Sequence, residues 1–164
     1  MNQTIISHIK FVLYDMAFLD IKRASTGDSK MGAFILASCF IDYMAGFLSG
    51  RESHKEDYES FVRHYLPPVY DPKRLYKDLR CRLVHNYSEG GSYWLTYNQP
   101  QLHGQKTTNK ITVINLENFI VDLEDAFKKF IKHVELDPLA RQRAIDRYNS
   151  FGLLCPAGLA PGKA

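Results

Sequence analysis

The stretch "VYDPKRLYKDLRCRLVHNYSEGG", residues 69–91, decides both the fold class and where chemistry can lie. It opens as a helix start. Asp71 is a good N-cap because its carboxylate can accept from the free amides of a first turn, and Pro72 falls where a missing N–H costs nothing. Leu75, Leu79 and Leu83 then recur at the spacing of one helix face. Gly90 and Gly91 are expected to end the helix, since glycine accepts the left-handed backbone of a helix terminus. On a wheel of about 100° per residue with Leu79 at zero, Leu75 and Leu83 fall about 40° to either side. Asn86 lies between them, and Tyr76 and Tyr87 flank the stripe. This stripe is expected to face the domain core.

The opposite face carries Arg74, Lys77, Cys81 and Val84. Arg80, near +100°, and His85, near −120°, stand on opposite shoulders of the stripe. Cys81 and Val84 are small and apolar, and a purely solvated face has no need of them. A second copy of this helix, crossing about a two-fold axis, is expected to pack on them. It would bring the Arg80 shoulder of one chain to the His85 shoulder of the other. A homodimer cleft with two arginines, two histidines and no carboxylate on that face suits a phosphate. The plain alternative is a helix that ends in basic residues because cations favour the C-terminal end of the helix dipole.

Outward from this stretch, the rest of the chain also reads as helix. Ile5, Ile9, Val12, Met16 and Leu19 predict a first helix over 4–23. "STGDS" at 25–29 is a loop in which Asp28 or Ser29 can cap a second helix over 30–48, closed by Gly50. Ser53 and Glu56 have the spacing of a capping box for a third helix, which Pro67 and Pro68 stop. The period then changes. "SYWLTYN" (92–98) alternates and "KITVIN" (110–115) is β-branched, so a β-hairpin with a long mobile loop is expected over about 92–114. Asn115 caps a fifth helix, 116–134, with Phe119, Ile120, Leu123, Phe127, Phe130 and Ile131 on one face. Asp137 and Pro138 begin a short sixth. The reading is an all-α domain over 1–150, a bundle of about five to six helices with a small hairpin inserted before the last core helix. A Pro/Gly-rich tail over 151–164 is expected to be flexible.

Bulk properties narrow the function classes. The 164 residues suit one domain, and 45% apolar with 24% charged residues is a globular composition. A net charge of +3 permits a nucleic-acid partner without demanding one. Three scattered cysteines, Cys39, Cys81 and Cys155, argue against a disulfide framework and for a reducing compartment. "MNQTIISHIK" lacks the pattern of a signal peptide, so a cytoplasmic location is expected. "MGAFILASCFIDYMAGFL", Met31 to Leu48, approaches the length of a membrane span, but Asp42 within it favours a buried core helix and no membrane partner. Asp42 is expected to pair with an Arg or Tyr of a neighbouring helix and to orient Arg80; a structural Asp with a single polar partner is the plainer alternative. The histidines show no metal-ligand spacing, and no Gly-rich loop or nucleophile elbow is present, so neither metal nor cofactor is expected. Tyr93, Trp94 and Tyr97 can stack on bases or simply pack, and Arg141, Arg143 and Arg147 form a basic run whose default is solvated charge.

The string "RCRLVHNY" resembles the Arg-x4-His signature of the HEPN superfamily (higher eukaryote and prokaryote nucleotide-binding domains), and Tyr87 extends it to Arg-x4-His-x-Tyr. The helix order over about 4–134 is similar to that superfamily as well. The resemblance implies a dimer with a composite cleft and metal-independent RNA cleavage, with Arg80 and His85 as the catalytic pair. It implies that Tyr87 matches a tyrosine adenylylated by a partner nucleotidyltransferase, the antitoxin of a toxin–antitoxin pair. Arg74, Lys77, Arg82, Asn86 and Asp42 would support RNA or phosphate binding, with Cys81 and Val84 at the dimer interface. Active members usually carry a polar residue after the arginine, where this chain has Cys81. That departure implies the alternative of a non-catalytic module binding nucleotide, RNA or protein.

Overall fold

The computed structural model describes residues 2–88 and 90–151, apart from the side chains of Asn2 and Gln3. The expected tail lies, from residue 152 on, outside the described residues, as does Cys155. The chain is mainly helical. The first helix runs unbroken from α1 (Asn2–Phe11) through a π-helical stretch (Val12–Phe18) into α2 (Leu19–Thr26). It is longer than its apolar periodicity predicts. The core helix α3 (Lys30–Ser49) follows, with Gly50 in the left-handed conformation at its end, φ 79°. By length and composition α3 could cross a membrane. Within the protein its apolarity is accounted for by burial: Phe34, Ala37, Phe40, Ile41, Met44 and Phe47 are all enclosed.

Helix α4 (Lys55–Tyr65) starts one residue later than the predicted capping box. The carboxylate that reaches back belongs to Asp57, whose Oδ2 accepts from the His54 amide at 3.0 Å, rather than to Glu56. The predicted fourth helix begins as expected: Asp71 Oδ1 accepts from the Arg74 amide at 2.9 Å, and Pro72 is the first helical residue. It is not a regular α-helix, however. One turn, α5 (Pro72–Arg74), leads into a nine-residue π-helical stretch (Leu75–Leu83), and a last short turn, α6 (Val84–Asn86), closes it. Leu75, Leu79 and Leu83 are buried as the stripe predicts, but Asn86 is exposed. The helix is ended by Tyr87, in the left-handed region at φ 53°, rather than by the two glycines.

Gly90 has a different task. At φ 74° it passes so close to Asp78 that a Cβ there would lie 2.3 Å from Oδ1. Asp78 is buried and its Oδ2 accepts from the Ser92 amide at 3.0 Å, which fastens the chain leaving the helix back onto it.

The expected hairpin is corrected. Strands β1 (Tyr93–Thr96) and β2 (Thr112–Asn115) pair in parallel, with Tyr93 opposite Thr112 and Thr96 opposite Asn115. Residues 97–111 form the crossover that a parallel pair requires. A tight turn over 107–110 lets residues 104–107 run antiparallel to β2 on its other edge: Val113 donates to Gln105 at 2.9 Å, and Thr107 to Ile111 at 2.9 Å. The predicted hairpin therefore exists one segment later, and its first strand is not β1. The loop is anchored rather than loose, since His103 Nδ1 accepts from the Asn115 amide at 3.2 Å.

Helix α7 (Leu116–Leu136) buries all six predicted apolar residues, and Phe130 meets Phe61 of α4 edge-on with ring centroids 5.9 Å apart. Full burial of one such side chain is worth about 1.5–3 kcal/mol. Helix α8 (Pro138–Phe151) is started by Asp137, whose Oδ1 accepts from the amides of Leu139 and Ala140. It packs across α3, which brings Arg147 to the cleft that Asp42 lines.

Candidate functional site

The candidate pair lies where the π-helical stretch gives way to the last short turn. In an α-helix residues five apart are rotated by about 140°, which is why Arg80 and His85 fall on opposite shoulders of the wheel. An i→i+5 ladder sets residues five apart nearly one above the other. Arg80 lies within that stretch and His85 just beyond it. Within one chain, Arg80 Nη1 is 3.3 Å from His85 Nε2. One chain by itself thus brings together two side chains that the regular wheel sets on opposite shoulders.

Asp42 of α3 completes the group. Arg80 Nε donates to Asp42 Oδ2 at 2.7 Å, the pairing anticipated for this buried-helix aspartate. Burial acts to lower the Arg80 pKa, but the Asp42 carboxylate more than offsets it, so the guanidinium is held more firmly charged than usual. Arginine can only donate, so in this arrangement His85 Nε2 accepts and the imidazole proton resides on Nδ1. The guanidinium has five N–H donors, which leaves some free for an incoming anion.

These three side chains and Val84 line an open cleft of about 430 Å³, together with Cys39, Tyr43, Glu52, Ser53 and Arg147. The cleft is not free of carboxylate as expected, because Asp42 and Glu52 enter it from α3 and the turn after it. Burial pushes the Cys39 thiol up, with Arg80 acting the other way, so Cys39 is not a ready thiolate nucleophile. Beneath the pair, the phenol of fully buried Tyr58 packs edge-on against Tyr76, with ring centroids 5.3 Å apart.

The other expected residues lie outside the cleft lining. Arg74, Lys77, Asn86 and Tyr87 are exposed, and Arg82 is turned away to the Gly90 carbonyl at 3.0 Å. Cys81 and Val84 are half-buried. Tyr93 is structural: its hydroxyl accepts from the Asp71 amide at 3.1 Å, clamping the helix start. Trp94 and Tyr97 are exposed.

The basic run divides. Arg141 donates to the Val134 carbonyl at 3.4 Å, Arg143 lines a separate cleft with His64 and His133, and only Arg147 enters the Arg80 cleft. No local pattern in the sequence distinguishes Arg147 from its neighbours; the signal is its place one turn before the end of a helix that crosses α3. Among the described residues, no group of three or more His, Cys, Asp or Glu side chains could hold a metal ion. Compared with protein-family models, with curated proteins and with solved structures, the chain matches none.

Proposed function

We propose that the protein is a HEPN-like endoribonuclease that needs no metal and works as a homodimer, the toxin-like half of a defence or toxin–antitoxin pair. The observation that supports this reading is the contact of Arg80 with both His85 and Asp42 at the floor of an open cleft. RNA supplies its own nucleophile, the 2′-hydroxyl. An arriving phosphate would draw the free edge of Arg80 from His85 to its own oxygens, since phosphate is the stronger acceptor. His85 Nε2 is then free to take the 2′-hydroxyl proton, and Arg80 stabilises the charge that builds on phosphorus-bound oxygen. The 2′-oxygen bonds to phosphorus as the bond to the 5′-oxygen breaks. The departing 5′-oxygen takes up a proton from solvent water, His85 gives the proton it accepted back to solvent, and the products are a 2′,3′-cyclic phosphate and a 5′-hydroxyl. A second copy packing over Val84 and Cys81 would close the cleft, and a nucleotidyltransferase partner would reach the exposed Tyr87.

A second reading, a non-catalytic module that binds RNA or nucleotide, is favoured by one observation. Arg80 and His85 satisfy each other in the free protein, an arrangement that a binding site needs no chemistry to explain. Incubation with RNA in EDTA separates the two. The nuclease reading expects cleavage by the protein and none by His85→Ala or Arg80→Ala. Binding without cleavage leaves the module.

A further inference from the structure

We infer that Arg147 is a second phosphate-binding arm of the Arg80 cleft, so that a single-stranded RNA is gripped from two helices at once. The inference rests on the reading of that cleft as a phosphate site. Arg147 stands one turn before the end of α8 and lines the cleft together with Arg80, Val84 and His85. Its guanidinium carbon lies 3.9 Å from the centroid of the Phe151 ring, one helical turn on, within reach of a cation–π contact. Its path crosses bare backbone: a Cβ at Gly46 would come within 3.1 Å of Arg147 Nε.

The decisive feature is what Arg147 lacks. Its Nε and Nη1 are shielded from solvent, yet among the described residues neither has a hydrogen-bond acceptor. Other arginines nearby do have them: Arg80 has Asp42, Arg51 has Asp57 and Arg82 has the Gly90 carbonyl. A buried donor left unmade is unfavourable, and more so on a charged group. The cleft's own carboxylates do not relieve it: Asp42 is taken by Arg80, and Glu52 makes no hydrogen bond to either atom. A guanidinium resting over an aromatic ring, with donors unmet and its side chain lining a cleft, is matched by an acceptor that arrives from outside. Phosphate offers the oxygens and the charge for that fork, and a chain of phosphates can meet Arg80 and Arg147 together. A small swing off Phe151, which is exposed at the helix end, would turn those donors to the strand.

The test uses an oligonucleotide of 2′-O-methyl RNA, which has no free 2′-hydroxyl and so cannot be cut. Its affinity is measured by fluorescence anisotropy over a salt series. Arg147→Gln should weaken binding about tenfold, the loss of one charge-assisted contact. It should also flatten the plot of log affinity against log salt by about 0.7, the value of one single-strand phosphate contact. Arg147→Lys keeps the charge and should keep the slope. A merely structural arginine would move neither slope. Should Arg147→Gln fail to fold, Arg147→Met, which keeps the stem beside Gly46 and loses the fork, carries the test with the same two losses expected. Unchanged affinity and slope in these variants overturns the inference, as does a wild-type protein that does not bind the oligonucleotide. Weakened binding in Arg147→Gln beside a wild type that leaves ordinary RNA intact keeps the inference and overturns the nuclease reading. Cleavage by the wild type with Arg147→Gln unaltered does the reverse.

Discussion

Asp42→Asn tests the frame that holds Arg80. The substitution keeps an oxygen near Arg80 Nε but removes the charge from a contact of 2.7 Å. A hydrogen bond to a charged group is worth about 1.5–3 kcal/mol. The two side chains retain 27% and 21% of their exposure, so water screens part of that and the lower end applies. With the amide still able to accept, the expected cost is about 1–2 kcal/mol of folding stability. For a domain of this size that is a fall in Tm of roughly 3–6 °C. The assay is denaturant unfolding followed by circular dichroism, run as a double-mutant cycle with Arg80→Met. The cycle should return a coupling of about 1 kcal/mol, as expected for side chains in direct contact. RNA cleavage should fall about tenfold or more, because a guanidinium free to rotate is no longer aimed at the phosphate. A coupling below about 0.3 kcal/mol, within the scatter of independent sites, would show that Asp42 does not hold Arg80 and would refute the reasoning.

Three further outcomes follow from the same geometry. Gly90→Ala should cost about 3 kcal/mol in denaturant unfolding, from left-handed strain plus displacement of Asp78 from the Ser92 amide, and much less in an Asp78→Ala background; equal costs in both backgrounds would deny the clash. Glu124 accepts from Lys22 at 3.1 Å and Tyr14 at 3.0 Å; burial acts to raise its pKa, but these partners outweigh it and hold the carboxyl below its usual range. Its contribution is therefore present above the ordinary glutamate pKa of about 4.3 and lost as pH falls through the lower folded value. Glu124→Gln should be less stable than the wild type at pH 7, with the gap closing on acidification, and a constant gap would contradict the assignment. Val84→Arg, which places a charge at the expected interface, should convert a dimer to a monomer in light scattering, and an unchanged dimer mass would remove Val84 from that interface.

What the sequence makes legible is what local physics dictates. Asp71–Pro72 and Asp137–Pro138 start helices because the side chain and the first-turn amides are neighbours in the chain. The α7 face and the Leu75, Leu79 and Leu83 stripe are readable because burial imposes a period. The π-helical stretch is not readable, since those leucines look the same in either ladder, and Arg80 lies within it. The partner of β2 was equally hidden: two short β-branched runs fit a hairpin or a crossover, and the choice is made by distant bonds such as His103 to Asn115. The capping box slipped by one residue because Glu56 and Asp57 are both carboxylates within reach of the helix start. Asp42 could be singled out as a charge in an apolar run, whereas Arg147 could not, because its setting depends on how α8 crosses α3.

The central claim is that Arg80 and His85 act as a pair inside one chain, and mixing the two inactive variants tests it most directly. Arg80→Ala and His85→Ala are unfolded together, refolded so that subunits exchange, and assayed on RNA. A pair formed within each chain leaves every site in a mixed dimer short of one partner, so the account expects no cleavage. If the pair instead forms between chains, half of the dimers are mixed and each regains one of two sites, and a return of about a quarter of wild-type activity would contradict the account.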